Sequence, residues 1–301
     1  RGGQYLAAIA AKSIDYLGSE FFPVGLFSTN FNKDIAQKGE SVTSRIITAV
    51  AASDLSSGYA SAQADVTTTP VVISLSEFKG FVGHFTDAEM SKAFKTEGNP
   101  KWLIDLFLEP MKEATIKSFA DDLLALVTAA NFTNKTTKAD TLFDADVVAD
   151  IRGALTKRKV PDKGRGMLLD PDYYAALLKD TSVSDQSAFG DNQAIVQGAL
   201  DMVRGFKTHE YEAIPENGEN LKGICCHRSA LAIAARPVID PTLFMARAPL
   251  AVENITETRT GLPYQFRIWY NPDAGAWRVS CGFLYGVQKA NTGALQRIVS
   301  A

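Results

Sequence analysis

The sequence predicts an α+β fold with extended parts, and three observations carry that expectation. In VVISLSEF, which starts at Val71, apolar Val71, Ile73 and Leu75 alternate with Ser74 and Ser76, the period-two pattern of a half-buried strand. Between Asn99 and Asn131, Leu103, Leu106, Phe107, Met111, Ala114, Phe119, Leu123, Leu126 and Val127 recur three or four apart, the longest helix signal in the chain. The second half then alternates short strands with amphipathic helices and closes on a hairpin.

The elements follow in order. Gln4 to Leu17 has helical character, and SEFFPVGLFSTNFN (Ser19 to Asn32) is an aromatic, Pro-broken arm that calls for a partner surface. KGESVTSRIITAV, from Lys38, and the strand pattern from Ala64 to Gly80 flank the small, polar ASDLSSGYASAQ, so the two halves read as one long ribbon. A lone two-stranded ribbon is marginal in water because one face has nothing to pack on, so this one is expected to lie on another copy of the chain. Thr86 and Glu89 have capping-box spacing and predict a short helix start. Asn99-Pro100 supplies an N-cap and an N1 proline to the long helix, while Pro110 inside it removes a donor and predicts a bend or break. Residues 131 to 140 turn polar and Thr-rich, a candidate domain boundary. Beyond them DADVVADIRGALTKRKV predicts a helix, GRGMLLD a strand, and Asp170-Pro171-Asp172 the start of the helix PDYYAALLKD. The predicted hairpin runs from Tyr264 to Tyr270 and from Ala276 to Tyr285, around a turn at Asn271 to Gly275.

Bulk properties bound the function. At 301 residues, with 46% hydrophobic and 22% charged content, the chain can build a substantial core, and no segment has the apolar length of a membrane-spanning helix. A net charge of -3 argues against a surface built throughout to neutralise phosphates. Three cysteines, two of them adjacent at Cys225 and Cys226, make neither a disulfide framework nor a C-x-x-C zinc motif and fit a reducing compartment. The chain begins Arg1-Gly2-Gly3 without Met, which is read as trimming, by proteolysis or because the sequence starts inside a longer one.

Chemistry is sparse. No P-loop, G-x-G-x-x-G, G-x-S-x-G or H-E-x-x-H occurs. His209-Glu210-Tyr211-Glu212 and Cys225-Cys226-His227 are the most site-like clusters, but neighbours on a strand face opposite ways and cannot share a metal. Asp121-Asp122 and Asp144-x-Asp146 read as solvated or first-turn acids, and the sequons at Asn131, Asn134 and Asn254 as coincidences. No catalytic residue, cofactor or metal is expected.

Four stretches, in this order, carry a resemblance: GRGMLLDPDYYAALLKD; QAIVQGALDMVRGFKTHEYEAIP, with Gly198 and Gly205-Phe206 before a strand ending in Ile214-Pro215; GICCHRSALAIAARP; and CGFLYGVQKANTGALQRIV. Together they resemble the major capsid proteins of tailed bacteriophages, the Hong Kong 97 type, over nearly the whole chain. The resemblance implies an N-terminal arm (1–37), an extension loop or β-ribbon (38–85), a peripheral domain with a long spine helix (86–134), an axial domain (135–254) and a return to the peripheral sheet (255–301). It also implies a virion protein that self-assembles in the host bacterial cytoplasm into an icosahedral shell around double-stranded DNA, with weak nonspecific contact to that DNA. Partners implied are hexamers and pentamers of the chain itself, plus portal and scaffold or decoration proteins. Inter-subunit contacts are expected at Val42, Ile46, Tyr59, Val71, Ile73 and Leu75 of the ribbon and at Phe21, Phe22 and Phe27 of the arm, with Pro110 as a flexing point during shell expansion. Some members weld subunits through a loop lysine, but Ala49 to Pro70 contains none, so stability is expected from buried apolar area at roughly 25 cal/mol per Å². The competing readings are an encapsulin-like compartment around an enzyme cargo, another phage structural protein, and an α/β enzyme using the acids above.

Overall fold

The computed structural model describes residues 22–31, 36–47, 68–89, 91, 115–184, 200–239, 250–256 and 261–301. Among them are two six-stranded sheets and a two-stranded ribbon. The first sheet is organised by β13 (Ala276–Lys289). On one side β13 pairs antiparallel with β12 (Pro263–Asn271), which pairs in turn with β11 (Leu250–Thr256). On the other side its first part pairs with β4 (Glu77–Thr86) and its last part with β10 (Leu231–Arg236). The edge beyond β10 is β1 (Ser28–Phe31), in parallel pairing. The β12–β13 turn forms where it was predicted. The Asn271 side chain accepts from Asp273 N at 3.1 Å, and Gly275 supplies the left-handed backbone, φ 54°, that closes the turn.

The second sheet runs β5-β14-β9-β6-β8-β7: β5 (Lys135–Thr137), β14 (Leu295–Val299), β9 (Leu221–His227), β6 (Arg165–Leu169), β8 (Phe206–Glu210) and β7 (Met202–Val203). Every residue of β6 is buried, as expected for a strand covered on both faces. Helix α1 comprises residues 115–124, α2 is Ala145–Lys157 and α3 is Pro171–Lys179. The capping chemistry read from the sequence is present. Asp144 accepts from Val147 N at 2.9 Å, Asp170 accepts from Asp172 N ahead of an N1 proline, and Glu89 Oε2 accepts from Thr86 N at 2.8 Å. The apolar stripe of α2, Val147, Val148, Ile151 and Leu155, faces the core.

One continuous core joins the sheets through α1. Phe119 lies edge-on to Tyr285 at 5.1 Å and tilted against Phe283 at 5.9 Å, both on the inner face of β13. Lys79 Nζ from β4 and the Tyr285 hydroxyl both donate to Asp122 of α1, the former at 2.5 Å. Asn217 closes the same, C-terminal end of the helix, donating to the carbonyls of Leu124 and Val127 at 2.9 and 2.7 Å.

The chain passes between the two sheets more than once. Residues 255–301 do not stay with one sheet: after β13 the chain turns at Asn291 and β14 returns to pair with β9. Conversely β10, inside the expected 135–254 unit, belongs to the first sheet. The long ribbon is also shorter in its second half. β2 (Ser41–Ile47) pairs with β3 (Thr68–Ser74), and after Leu75–Ser76 the chain enters β4, a full member of the first sheet.

The ribbon's base rests on its own chain. Ile73 and Leu75, both 0% exposed, and Val71 form a cluster with Ala232, Ala234 and Leu284 on the outer face of the first sheet, with Val42 half-buried against it. Close approach there depends on Gly286, where a Cβ would fall 2.1 Å from the Ser74 carbonyl oxygen. Gly286→Ala is therefore expected to push the ribbon base off the sheet at about 1–3 kcal/mol, the range for overpacking, read by urea unfolding of the unassembled chain. An unchanged midpoint would show that the ribbon is not seated there.

Candidate assembly surfaces

The outer face of the first sheet is covered at one end and open at the other. Period-two geometry puts Leu284, Gly282 and Ser280 of β13 on that face, opposite Phe78, Gly80 and Val82 of β4. The ribbon base covers Leu284. Farther along, Phe78 is 48% and Val82 61% exposed. Between them and β12 lies an open cleft of about 540 Å³ lined by Phe78, Val82, Gln265, Arg267 and Trp269 over Gly80 and Gly282. Gly80 cannot carry a Cβ without displacing its neighbours, since it would meet the Cys281 carbonyl oxygen at 2.1 Å, whereas at Gly282 a Cβ would be tight against the Lys79 carbonyl oxygen at 3.3 Å and in ordinary contact with the Phe78 ring. Arg267 is oriented by donating from Nε to Gln265 Oε1 at 2.8 Å, and Gln265 in turn donates to the Val238 carbonyl at 2.7 Å. Two strands that present small floors and large apolar rims form a seat for an apolar side chain with one positive charge at its edge.

The residues expected to touch a neighbour are mostly elsewhere. Phe22 and Phe27, predicted as sticky residues of an arm, are buried in the main core of the same chain. Phe22 stacks on Phe27 at 5.8 Å and meets Tyr211 edge-on at 5.2 Å. The short turn Val24–Leu26 brings Leu26 onto β6, where only Gly166 leaves room for it. Val71, Ile73 and Leu75 are likewise buried within the chain, where they pack on β10 and β13, and Val42 is half-buried against them. The apolar alternation reported one buried face correctly but not whose surface buries it. Ile46 lies on β2 opposite Thr69, with its side chain outside the described residues. Tyr59, Phe21 and Pro110 lie outside them altogether. Phe78 and Val82 were missed. Their signal was present in EFKGFVGHF, where apolar residues occupy both faces of one strand.

The clusters with chemical potential are structural. Among the described residues no group of three or more His, Cys, Asp or Glu is placed to hold a metal. Cys225 and Cys226 occupy opposite faces of β9, both fully buried, and burial pushes both thiols up, Cys226 to about 12, so they stay protonated and unreactive at neutral pH. Cys281 is buried as well. His227 Nδ1 is 2.8 Å from Ser229 Oγ in a tight turn, and burial lowers its pKa. His209 is half-buried on β8, with its pKa lowered by burial and by nearby Lys207. Its neighbour Tyr211 turns into the core beside Phe22 and is raised to about 12 by burial, with the charges of Asp121 and Glu212 adding to the shift. Asp122 is engaged by Lys79 and Tyr285 as described, while Asp144 and Asp146 serve the start of α2.

No protein-family model matches the sequence, and no curated protein matches it. Solved structures do. The capsid of the cyanophage P-SCSP1u superposes with a TM-score of 0.60 at 12% identity, covering 94% of this chain and 89% of that one. The mature capsid of bacteriophage PhiM1 gives a TM-score of 0.56 at 14% identity, over 94% and 87% of the two chains. A virus-like particle from Pyrococcus furiosus gives 0.56 at 11% identity over 99% of both. Likeness at these identities is likeness of architecture, and the fold of this chain is that of the Hong Kong 97-type capsid proteins.

Proposed function

We propose that the chain is the major capsid protein of a tailed bacteriophage, self-assembling into an icosahedral shell around double-stranded DNA. The observation that most supports this reading is coverage. The likeness to a solved capsid extends over 94% of the chain and 89% of that capsid chain. Subunits would form rings of five and six through heterologous contacts that close. The first sheet with α1 corresponds to the peripheral part, and the second sheet with α2 and α3 to the axial part near ring centres. The open outer face at Phe78 and Val82 would receive an apolar segment of an adjoining subunit. Tyr59 and Phe21 stay in the proposal as contacts on the ribbon and arm, and portal and scaffold or decoration proteins as partners. The chain acts by assembly and has no catalytic role. Pro110 would act as a flexing point during expansion of a precursor shell, and Pro110→Ala is expected to slow or block that expansion, followed by small-angle scattering. Unchanged expansion removes that role.

An encapsulin-like compartment enclosing an enzyme cargo is the second reading, supported by the 99% mutual coverage with the Pyrococcus furiosus virus-like particle. The contents of particles purified from producing cells separate the two. Nuclease-protected double-stranded DNA is expected for a capsid; a stoichiometric protein cargo without DNA would favour the compartment.

A further inference from the structure

The charge of this chain is unevenly placed. Its formal net charge is -3, yet between Arg152 and Arg165 lie six cations, Arg152, Lys157, Arg158, Lys159, Lys163 and Arg165, against the single acid Asp162. Two of these cations build the turn that follows α2. The buried Arg165 guanidinium donates to the carbonyls of Val160 and Pro161 at 2.6 and 2.9 Å and to Thr156 Oγ1 at 3.1 Å, and pairs with Asp162 at 2.9 Å. Arg158 donates to Ala154 O at 3.2 Å and to Gln296 Oε1 at 2.7 Å, answering the C-terminal carbonyls of α2 and fastening the turn to β14. The chain between them is thus wound on a buried guanidinium and fixed in shape.

What this turn presents outward is positive. Lys157, Lys159 and Lys163 are exposed, and Lys159 is held in the left-handed region at φ 62°. Arg228, in the turn after β9, joins them. Its N–H donates to Gly164 O at 3.2 Å, and its side chain lies so close over Gly164 that a Cβ there would meet Nε at 2.9 Å. Among the described residues no ion pair reaches these four side chains, and Asp162, the one acid between Arg152 and Arg165 in sequence, is already engaged by Arg165. Solubility does not call for such a concentration, since interspersed charges serve it as well. Like charges gathered on a rigid turn repel one another, and a polyanion relieves that repulsion while releasing its own counterions.

We infer that the turn formed by Lys157, Lys159, Lys163 and Arg228 is a docking platform for the phosphate backbone of double-stranded DNA, read without regard to sequence. That this DNA is a packaged genome lying against the inner wall rests on the capsid reading; the platform itself does not. The test measures binding of a fluorescent mixed-sequence DNA duplex to the purified full chain, before assembly, across a salt series. Four phosphate contacts predict a slope of log K against log salt of about -3.6. The variant K157Q/K159Q/K163Q is expected to reduce that slope to about -1 and to weaken binding at least tenfold at low salt. A control with the same change in net charge at exposed sites elsewhere, K38Q/K117Q/K135Q, is expected to bind as the unmodified chain does. Equal losses in both variants, or none in the first, would overturn the platform. Binding of polyglutamate as tight as that of DNA would overturn it too, in favour of an acidic protein partner. Electron microscopy of the same samples separates the two claims: closed shells with DNA binding unaffected by K157Q/K159Q/K163Q sink the platform alone, while platform-dependent DNA binding without shells sinks the capsid reading alone.

Discussion

Replacing Arg297 by Ala is expected to cost the fold about 3–5 kcal/mol, the range for breaking a buried ion pair by removing one partner. Arg297 sits on β14 and is 2% exposed. Its Nε donates to the Phe132 carbonyl at 2.7 Å, and its Nη1 pairs with the largely buried Glu219 carboxylate. One side chain thereby ties the last strand to the connection after α1 and to the turn before β9. Truncation leaves the Glu219 charge and the Phe132 carbonyl without their partner in a place water reaches poorly. Urea unfolding of the unassembled chain measures the loss. Arg297→Met combined with Glu219→Leu is expected to restore much of it, because replacing both members of a buried pair by apolar groups removes the stranded charge. A loss in the single variant below about 1 kcal/mol would mean that the pair is solvated and that β14 is held by its strand pairing alone.

Phe78→Ser with Val82→Asp is expected to abolish shells while leaving the chain folded. Val82 is largely exposed within the chain and Phe78 about half exposed, so the folded subunit should lose about 0.5 kcal/mol at Val82 and about 1 kcal/mol at Phe78, which leaves it folded. In a shell the same positions would be buried against a neighbour. Each side chain would contribute about 1.5–3 kcal/mol to every contact, and an Asp in the cleft would put a carboxylate where the neighbour's apolar side chain must sit, at a desolvation cost that the single nearby guanidinium of Arg267 only partly offsets. Because the contact repeats in every subunit, a modest loss per interface removes the whole assembly. Circular dichroism and sedimentation velocity read the two halves of the prediction. Normal shells from this variant would mean that the cleft does not carry the subunit contact.

Much of the local structure was legible because its signals are local. Asp144, the Asp170-Pro171 pair and the Thr86–Glu89 box each satisfy backbone groups within one turn of themselves, so spacing alone identifies them. The hairpin around Asn271 and Gly275 was legible for the same reason. What the sequence left open was partnership over distance. Period-two burial at Val71, Ile73 and Leu75 is the same whether the surface that covers them is β10 or another subunit. Phe22 and Phe27 looked like an arm because a Pro-broken aromatic segment has the same composition whether it docks inside its own core or outside it. The parallel pairing of Ser28–Phe31 with a strand some 200 residues later, and the crossing of β14 into the second sheet, have no signature in local pattern. The open cleft has no local signature for a related reason: apolar residues on both faces of a strand, as with Phe78 and Val82 beside Phe81 and Phe85, form the same pattern whether the second face is covered or open.

The central claim is that this chain assembles into a closed shell, and negative-stain electron microscopy of the purified protein tests it most directly. Closed, icosahedral particles of one or two sizes are expected. Discrete particles of one or a few subunits, stable at high protein concentration, would contradict it.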